Sequence, residues 1–434
     1  MLFGTSGIRG VYGEKITDEL VFRVGNALAR TVQNIAIGID QRKSSNPLSK
    51  AFIEGALKAK AEITFLGLTT TPTVGFISRE YNAGVNITAS HNPPEYNGLK
   101  FFNPDGSAFS EDQQNKLEDL INSPPLMTKK GRQKSQSVYK KHISAILKYL
   151  DTQLSDKHIV LDCNHGTAGT ITPNVLRELG CKVSIYRENP KWDYIPQRTN
   201  MPSIGDWQYI ADIRGLIKKV RDEKADLGIT HDSDSDRVFI VTDEGPITGD
   251  LLLGIFASKR KGNVVAAIDS SMIVDELAKG SVIRTPVGDT YISRVLKSSD
   301  AVLGGEGCSG TFIFPEFSLC PDGPLAAAKF IEVVTKEDVK DMLSRANTYR
   351  LERFNIPCES RNRNNMMERI LAKVKDIDAT IQKTDGIKVI FTNGWFLIRA
   401  SGTSPIIRVT IEAKDDESFK EIQKFTEGIV GQKI

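Results

Sequence analysis

Residues 34–40 read NIAIGID, an apolar run that ends on Asp40, and the same design returns as KHIVLDC at 157–163 and as NVVAAID at 263–269. Each run is followed by a loop, a stretch with helical spacing and a second apolar run. In the first, Phe52, Ile53, Ala56 and Leu57 share a face ahead of ITFLG; in the second, Val175, Leu176 and Leu179 precede KVSIY; in the third, Ile273, Val274 and Leu277 precede SVIRT. Apolar residues three and four apart line one side of a helix. Continuous apolar runs suit strands buried on both faces of a parallel or mixed sheet. Three strand–helix–strand copies point to three related α/β domains. The alternative is one long α/β sheet without duplication, and the polar connectors between the units favour three domains.

Those connectors are Ser123 to Ser137, with Pro124-Pro125 and a basic run, the stretch around Asp243-Glu244-Gly245-Pro246, and Ala346 to Pro357. The last segment follows another pattern. GIKVIFTNGWFLIRAS sets Asn393-Gly394 between two apolar runs, a strong hairpin signal. IIRVTIEA reads as a further strand. ESFKEIQKFTEGIV reads as a helix with Phe419, Ile422, Phe425 and Ile429 on one face. A small α+β domain is expected there.

The 434 residues suggest two to four domains at roughly 100–200 residues each. Hydrophobic content of 40% and charged content of 26% are those of an ordinary soluble globular chain. A net charge of +3, from 57 basic and 54 acidic residues, sets up no global field for nucleic acid or an anionic membrane. The densest basic stretch, Lys129-Lys130-Gly131-Arg132 with Lys134 and Lys140-Lys141, has no interleaved aromatics and reads as a solvated linker. The five cysteines (Cys163, Cys181, Cys308, Cys320, Cys358) are odd in number and lack a C-x-x-C pair. That argues against a disulfide framework or structural zinc and for a reducing cytoplasm. MLFGTSGIRG is not a signal peptide, and no run of about 18 apolar residues would cross a membrane.

Chemistry concentrates in a few stretches. NITASHNPPEYNGLKFF, 86–102, begins as a strand and breaks at Ser90-His91, where Asn92-Pro93-Pro94 enforces a turn. A serine held there suits a nucleophile or phosphate carrier; a plain Ser/Asn/Pro loop is the competing reading, and Lys100 brings a cation near the same turn. THDSDSDRVFIV, 230–241, alternates Asp232, Asp234 and Asp236 after an apolar strand. Carboxylates so spaced repel unless a cation sits among them, and oxygen-only ligands suit Mg²⁺. An EF-hand loop would need Gly and Glu where Arg237 and Asp243 stand. GGEGCSG, 304–310, offers Glu306 and Ser309 to sugar hydroxyls, and the Thr285–Asp289 loop with Gly288 can join it. IRASGTSPIIRV, 398–409, brackets a hydroxyl-rich loop with Arg399 and Arg408, the donors of a phosphate clamp. FGTSGIRG, with Arg9, is a further anion loop. No Walker-type loop is present, so a nucleotide is not the obvious donor.

Together these motifs resemble the α-D-phosphohexomutase superfamily of phosphoglucomutases, phosphomannomutases and phosphoglucosamine mutases, in an archaeal-like form. Thr88 to Pro93 is its T-A-S-H-N-P, Asp232 to Arg237 its D-x-D-x-D-R, and Arg399 to Arg408 its phosphate loop, with Ser404 in place of the usual Glu. The sugar loop departs from the bacterial G-E-x-S-G-H: it is one residue longer, with Thr311 near the histidine's position.

The resemblance implies an α/β fold of four domains around a central cleft, three of them duplicated α/β domains with mixed sheets and the last α+β. The expected divisions are 1–150 (phosphoserine), 151–245 (metal), 246–350 (sugar) and 351–434 (phosphate). It implies interconversion of hexose 6-phosphate and hexose 1-phosphate, glucosamine phosphate being favoured slightly. A phosphomannomutase/phosphoglucomutase of relaxed specificity is the alternative, with a phosphoserine-using phosphatase behind it. Ser90, His91, Lys100, Arg9 and Arg237 would be catalytic, with Lys100 or His91 as general base. Ser90, Asp232, Asp234 and Asp236 would ligate one Mg²⁺. Glu306, Ser309 and Gly288 would contact sugar, and Arg399, Ser401, Gly402, Thr403 and Arg408 phosphate. Hexose 1,6-bisphosphate would be the intermediate and activator. The expected partner is a phosphosugar, without nucleic acid or membrane, and a homodimer is among the expectations.

Overall fold

The computed structural model describes residues 2–4, 7–128, 131–151, 154–193, 213–336, 343–344, 349–359, 362–401 and 406–434. Its three α/β units each carry four strands in one order. In the first, Tyr96–Phe102, Ala83–Ile87, Asn34–Ile39 and Glu62–Leu68 lie side by side; in the second, Phe239–Val241, Leu227–Thr230, His158–Asp162 and Lys182–Tyr186; in the third, Thr311–Ile313, Leu303–Glu306, Val264–Ala267 and Val282–Thr285. The first strand of each unit is parallel to both its neighbours, and the fourth turns back antiparallel on the third. Helices Ser45–Lys58, Thr172–Glu178 and Ile273–Leu277 make the first crossovers. Buried strands with helical crossovers account for the near-continuous apolar runs of the sequence.

The turn between third and fourth strands therefore recurs three times at the carboxyl ends of parallel strands, where open α/β sheets bind ligands. In the first unit it holds Ser90, in the second the three aspartates, in the third Gly307–Gly310.

The first sheet is wider than the repeat. Phe3–Gly4 and Gly7–Val11 extend it at one edge, and Arg132–Ser135 pairs in parallel with Glu62–Phe65 at the other. The basic stretch expected as linker thus supplies an edge strand; all four residues are exposed, so no apolar periodicity announced it. The third connector is also shorter than expected. Arg350–Pro357 is a strand, paired along its whole length with Ile406–Ala413. The C-terminal sheet runs Arg350–Pro357, Ile406–Ala413, Gly394–Ala400, Ile387–Phe391, Thr380–Gln382, all antiparallel, with Phe391 opposite Gly394 at the expected hairpin. On the helix Asp416–Val430, Phe419, Ile422 and Ile429 are buried but Phe425 is 40% exposed, at the rim beside Phe391 and Phe396.

One apolar core joins the second and third units, the helix Tyr139–Tyr149 and part of the first unit, including Val74, Phe76, Ile77 and Phe102. A buried polar chain pins the first unit to it: His142 Nδ1 lies 2.9 Å from Thr73 Oγ1 and His142 Nε2 2.8 Å from Asp322 Oδ2. The C-terminal domain has its own core and meets the third unit through the small cluster Ile268, Trp395 and Leu397. No described helix is long and apolar enough to cross a membrane.

Candidate active site

Ser90 stands just beyond the strand Ala83–Ile87 with φ of 51°, a left-handed conformation that a residue with a Cβ adopts at a cost of order 1–3 kcal/mol unless its surroundings enforce it. The surroundings do so. Its N–H donates to Thr88 Oγ1 at 2.9 Å. Beneath the turn lies Arg42, a residue the sequence reading passed over. Its Nε donates to Asp40 Oδ2 at 3.0 Å, Nη1 to the carbonyls of Pro93 and Tyr96 at 2.6 and 2.8 Å, and Nη2 to those of Ser90 and Asn92 at 2.6 and 2.7 Å. All five guanidinium donors are used. Arg42 is 1% exposed, so this ion pair and its hydrogen bonds are desolvated and depend on that complete satisfaction.

The Ser90 hydroxyl donates to Asp232 Oδ2 of the second unit at 2.7 Å, and its Oγ is 3.3 Å from His91 Nδ1. Asp232, Asp234 and Asp236 bring one carboxylate oxygen each within 4.8 Å of one another, all buried. Thr71 Oγ1 donates to Asp234 Oδ2 at 2.6 Å and Thr71 N–H to its carbonyl at 2.9 Å. Lys100 Nζ reaches Asp234 Oδ2 at 2.8 Å and also Asp236 Oδ2. Arg237 Nε stands 3.8 Å from Asp232 and 3.9 Å from Asp236. Asp234 Oδ1 and Asp236 Oδ1 are buried without a hydrogen bond. Buried acceptors are normally satisfied, so an all-oxygen triad with two orphaned oxygens fits a hard cation.

Burial, followed by the charges of Asp234 and Asp236, holds the Asp232 carboxyl well above the usual range. Burial would raise Asp234 too, but Lys100 outweighs it and holds Asp234 low. Burial alone would lower Lys100, yet Asp234 and Asp236 outweigh it and raise it. A lysine so paired is a fixed cation, and the pairing opposes its use as a base. His91 is the group nearer the hydroxyl. Arg9 Nη1 is 3.5 Å from Asn92 Oδ1, and its pKa is lowered by burial against the pull of Asp234 and Asp236.

The aspartate loop and the Gly307–Gly310 turn are joined through backbone: Val238 N–H donates to the Gly310 carbonyl at 3.0 Å, and Arg237 bridges to Thr311. Gly310 has φ of 71°, and a Cβ there would lie 2.6 Å from the Val238 carbonyl, so glycine is required. Ser309 Oγ donates to the Glu306 carbonyl at 3.1 Å and meets Thr311 Oγ1 at 2.8 Å. Burial, then Asp269, pushes the Glu306 carboxyl up to about 7. Gly288 caps the helix Asp289–Ser298.

Arg399 and Arg408 face each other directly across the antiparallel pair Gly394–Ala400 and Ile406–Ala413. Ser401 N–H closes the loop on the Ile406 carbonyl at 3.0 Å. Gly402 and Thr403 lie outside the described residues. Asp385, also unforeseen, accepts from Arg399 Nη2 at 2.9 Å and from Val287 N–H at 3.1 Å, tying Arg399 to the Gly288 loop of the third unit. Glu412 strengthens that junction, accepting from Trp395 Nε1 at 2.7 Å, Met272 N–H at 2.8 Å and Ser271 Oγ.

Comparison with known proteins also divides the chain in four, with the helix Tyr139–Tyr149 in the second part. Residues 1–126, 137–245 and 248–349 match phosphoglucomutase/phosphomannomutase α/β/α domains I, II and III, and residues 355–428 match the C-terminal domain. A probable phosphoglucosamine mutase of Methanocella arvoryzae is 41% identical over 99% of this chain and 98% of its own. One of Methanosarcina barkeri is 38% identical over 98% of each chain. Among solved structures, a phosphoglucomutase/phosphomannomutase family protein of Burkholderia thailandensis superposes with a TM-score of 0.86 at 22% identity, covering 99% of this chain and 96% of that one. An Aspergillus fumigatus N-acetylphosphoglucosamine mutase, solved with GlcNAc-6P and magnesium, gives 0.57 at 14% identity over 99% and 95%.

Proposed function

The chain belongs to the phosphoglucomutase/phosphomannomutase family, and from that premise we propose that it is a phosphohexomutase whose preferred substrate is glucosamine phosphate. It is an isomerase of the intramolecular phosphotransferase kind. The observation that carries the reading is the 2.7 Å contact of Ser90 Oγ with Asp232, which sets a hydroxyl from one unit against a carboxylate triad from another.

In this reading Ser90 carries the phosphoryl group and gives it to the free hydroxyl of a hexose monophosphate. The hexose 1,6-bisphosphate so formed turns over in the cleft, and its other phosphate returns to Ser90. Mg²⁺ held by Asp232, Asp234 and Asp236 supplies positive charge against the phosphoryl oxygens. Arg237 and Arg9 add fixed positive charge from two sides, which suits a loose transition state whose charge sits on its equatorial oxygens. His91, 3.3 Å from Ser90 Oγ, is placed to hold or move the hydroxyl proton. Arg399 and Arg408 grip whichever phosphate is not reacting, so one clamp serves both orientations. Glu306 and Ser309 meet the sugar.

The test is kcat/KM for glucosamine, glucose and mannose 1-phosphates, with labelled phosphate followed to sugar or to water. Preference for glucosamine phosphate with label kept on sugar supports the proposal. Equal values for the three sugars would assign relaxed specificity instead, and label released to water a phosphatase.

A further inference from the structure

The aspartate loop belongs to the second unit, yet two of its supports come from the other units. From the first, the helix Thr71–Ile77 meets the loop at its first residue. Thr71 N–H donates to the Asp234 carbonyl at 2.9 Å and Thr71 Oγ1 to Asp234 Oδ2 at 2.6 Å, while Asn86 of the serine strand donates to Thr71 Oγ1 at 2.7 Å. From the third, Gly323 lies against the end of the loop. A Cβ there would fall 2.5 Å from the Arg237 carbonyl oxygen and 2.7 Å from that of Ser235, so only glycine permits the approach.

One imidazole stands between these supports. His142, on the helix Tyr139–Tyr149, is fully buried. Its Nδ1 lies 2.9 Å from Thr73 Oγ1, two residues past Thr71, and its Nε2 lies 2.8 Å from Oδ2 of Asp322, the residue before Gly323. A carboxylate only accepts, which assigns the proton to Nε2 and leaves Nδ1 of the neutral ring to accept from the Thr73 hydroxyl. Both partners are themselves fixed. Thr73 N–H donates to Thr70 Oγ1 at 3.1 Å, and the two hydroxyls are 2.7 Å apart. Asp322 Oδ1 accepts from Leu325 N–H at 2.9 Å, in the first turn of the helix Gly323–Lys336. Phe76 and Phe317 flank the ring, with centroids 5.0 and 5.8 Å away. An apolar side chain would fill the same space without polar atoms to desolvate. What the imidazole adds is two directed bonds, which fix a spacing that apolar contact alone leaves free to slide.

We propose that His142 is a positioning residue for the metal site. By setting the distance between Thr73 and Asp322 it holds Thr71 and Gly323 against the aspartate loop, and so keeps the three carboxylates spaced for Mg²⁺. It touches neither the ion nor the sugar. The inference rests on the reading of the triad as the metal site.

Two variants cut the link without touching the loop. His142→Phe keeps an aromatic ring beside Phe76 and Phe317 and removes both hydrogen bonds; Thr73→Val keeps the shape of the side chain and removes one. Mg²⁺ titrated calorimetrically into the full chain, without substrate, should bind about tenfold more weakly to His142→Phe and about threefold more weakly to Thr73→Val, at and below the low end of what metal sites lose with a supporting contact. The Mg²⁺ concentration for half-maximal rate should rise in parallel, while KM for hexose phosphate stays within about threefold. Val24→Ala, in the separate core of the first unit, controls for general loosening and should bind Mg²⁺ as wild type does. Wild-type affinity in His142→Phe and Thr73→Val, or an equal loss in Val24→Ala, overturns the proposal. Should His142→Phe not fold, Thr73→Val decides by the same criterion. Absence of Mg²⁺ binding to the wild-type chain would overturn the metal site itself and this role with it, an outcome distinct from equal binding by wild type and variants.

Discussion

Replacing Arg42 by lysine tests whether the serine turn is held from beneath. Lysine keeps a positive charge beside Asp40 but offers three donors where arginine uses five. At least two of the carbonyls of Ser90, Asn92, Pro93 and Tyr96 therefore lose their charged donor, although Ser90 keeps Ser233 Oγ and Pro93 keeps the Tyr96 N–H. A hydrogen bond to a charged donor contributes about 1.5–3 kcal/mol, so the gross loss is about 3–6 kcal/mol. Pro93 is exposed and Asn92 half-buried, so water repays part, and about 3 kcal/mol is left to drive the turn out of place. The lost bonds are local, and the first unit keeps its own apolar core, so the turn should loosen before the domain unfolds. Ser90 then leaves the left-handed conformation that the guanidinium enforces, and a shift of about 1 Å at a reacting atom costs roughly 100-fold in rate. The expected result is kcat down about 100-fold with KM within a factor of about three, because the phosphate clamp lies on another domain. Steady-state kinetics, intact-protein mass for phosphoserine and hydrogen exchange over residues 88–96 would be read together. Wild-type kcat with unaltered exchange would refute the role given to Arg42. So would a loss expressed wholly in KM.

Ser90→Ala should abolish stable phosphorylation in intact-mass measurements and lower turnover by several orders of magnitude; full activity would sink the phosphoserine mechanism. Chelation should silence the enzyme and Mg²⁺ restore it. Asp234→Asn should raise the Mg²⁺ concentration for half-maximal rate by at least about tenfold, the scale on which metal sites lose affinity when even a supporting contact is removed. Burial, then Arg284, lowers Lys388 from 10.5 to about 7. The unfolded chain then holds a proton that the folded chain lacks between those values, so stability rises with pH across the window, by at most about 1.4 kcal/mol per unit, and is lost again as pH falls towards 7. Denaturant titration of wild type against Lys388→Met from about pH 7 to about pH 9 should show that slope only in wild type. Equal slopes would mean that the Ile268 carbonyl and the Trp395 ring, 3.6 Å from Nζ, keep the ammonium charged.

The repeat was legible because buried strands announce themselves as apolar runs and their crossover helices by spacing. Ser90 and the aspartate triad were legible because each is a local constellation, complete within a dozen residues. Arg42 was not, because it lies 48 residues before Ser90 and only the fold lays its guanidinium against the turn. An Asp-x-Arg directly after an apolar strand was the available signal. Asp385 and Glu412 act across a domain junction, which no local pattern encodes. The edge strand Arg132–Ser135 has no buried face and hence no periodicity to read. Lys100 looked like a free cation near a turn; its capture by Asp234 and Asp236 depends on a second domain arriving.

The three equivalent aspartates show how one repeated unit can serve three purposes. Where the turn must be rigid, the aspartate at the strand end is locked to an arginine: Asp40 with Arg42 under the serine, Asp162 with Arg187 behind the metal loop. In the third unit Arg353 Nη2 meets the Asp269 carbonyl at 3.4 Å instead, and Asp269 Oδ1 is buried without a hydrogen bond. The mobile element of such a site should be the part held least firmly. The second and third units share one core that also takes in Val74, Phe76 and Ile77 of the first, with His142 as a further tie, whereas the C-terminal domain meets the third unit through Ile268, Trp395 and Leu397, the half-buried Met272, Val287, Leu351 and Ile390, and polar ties. Interfaces of that size and polarity permit relative domain motion. A bisphosphate can therefore turn while Ser90 and the triad stay fixed, with the clamp yielding and closing again on the other phosphate.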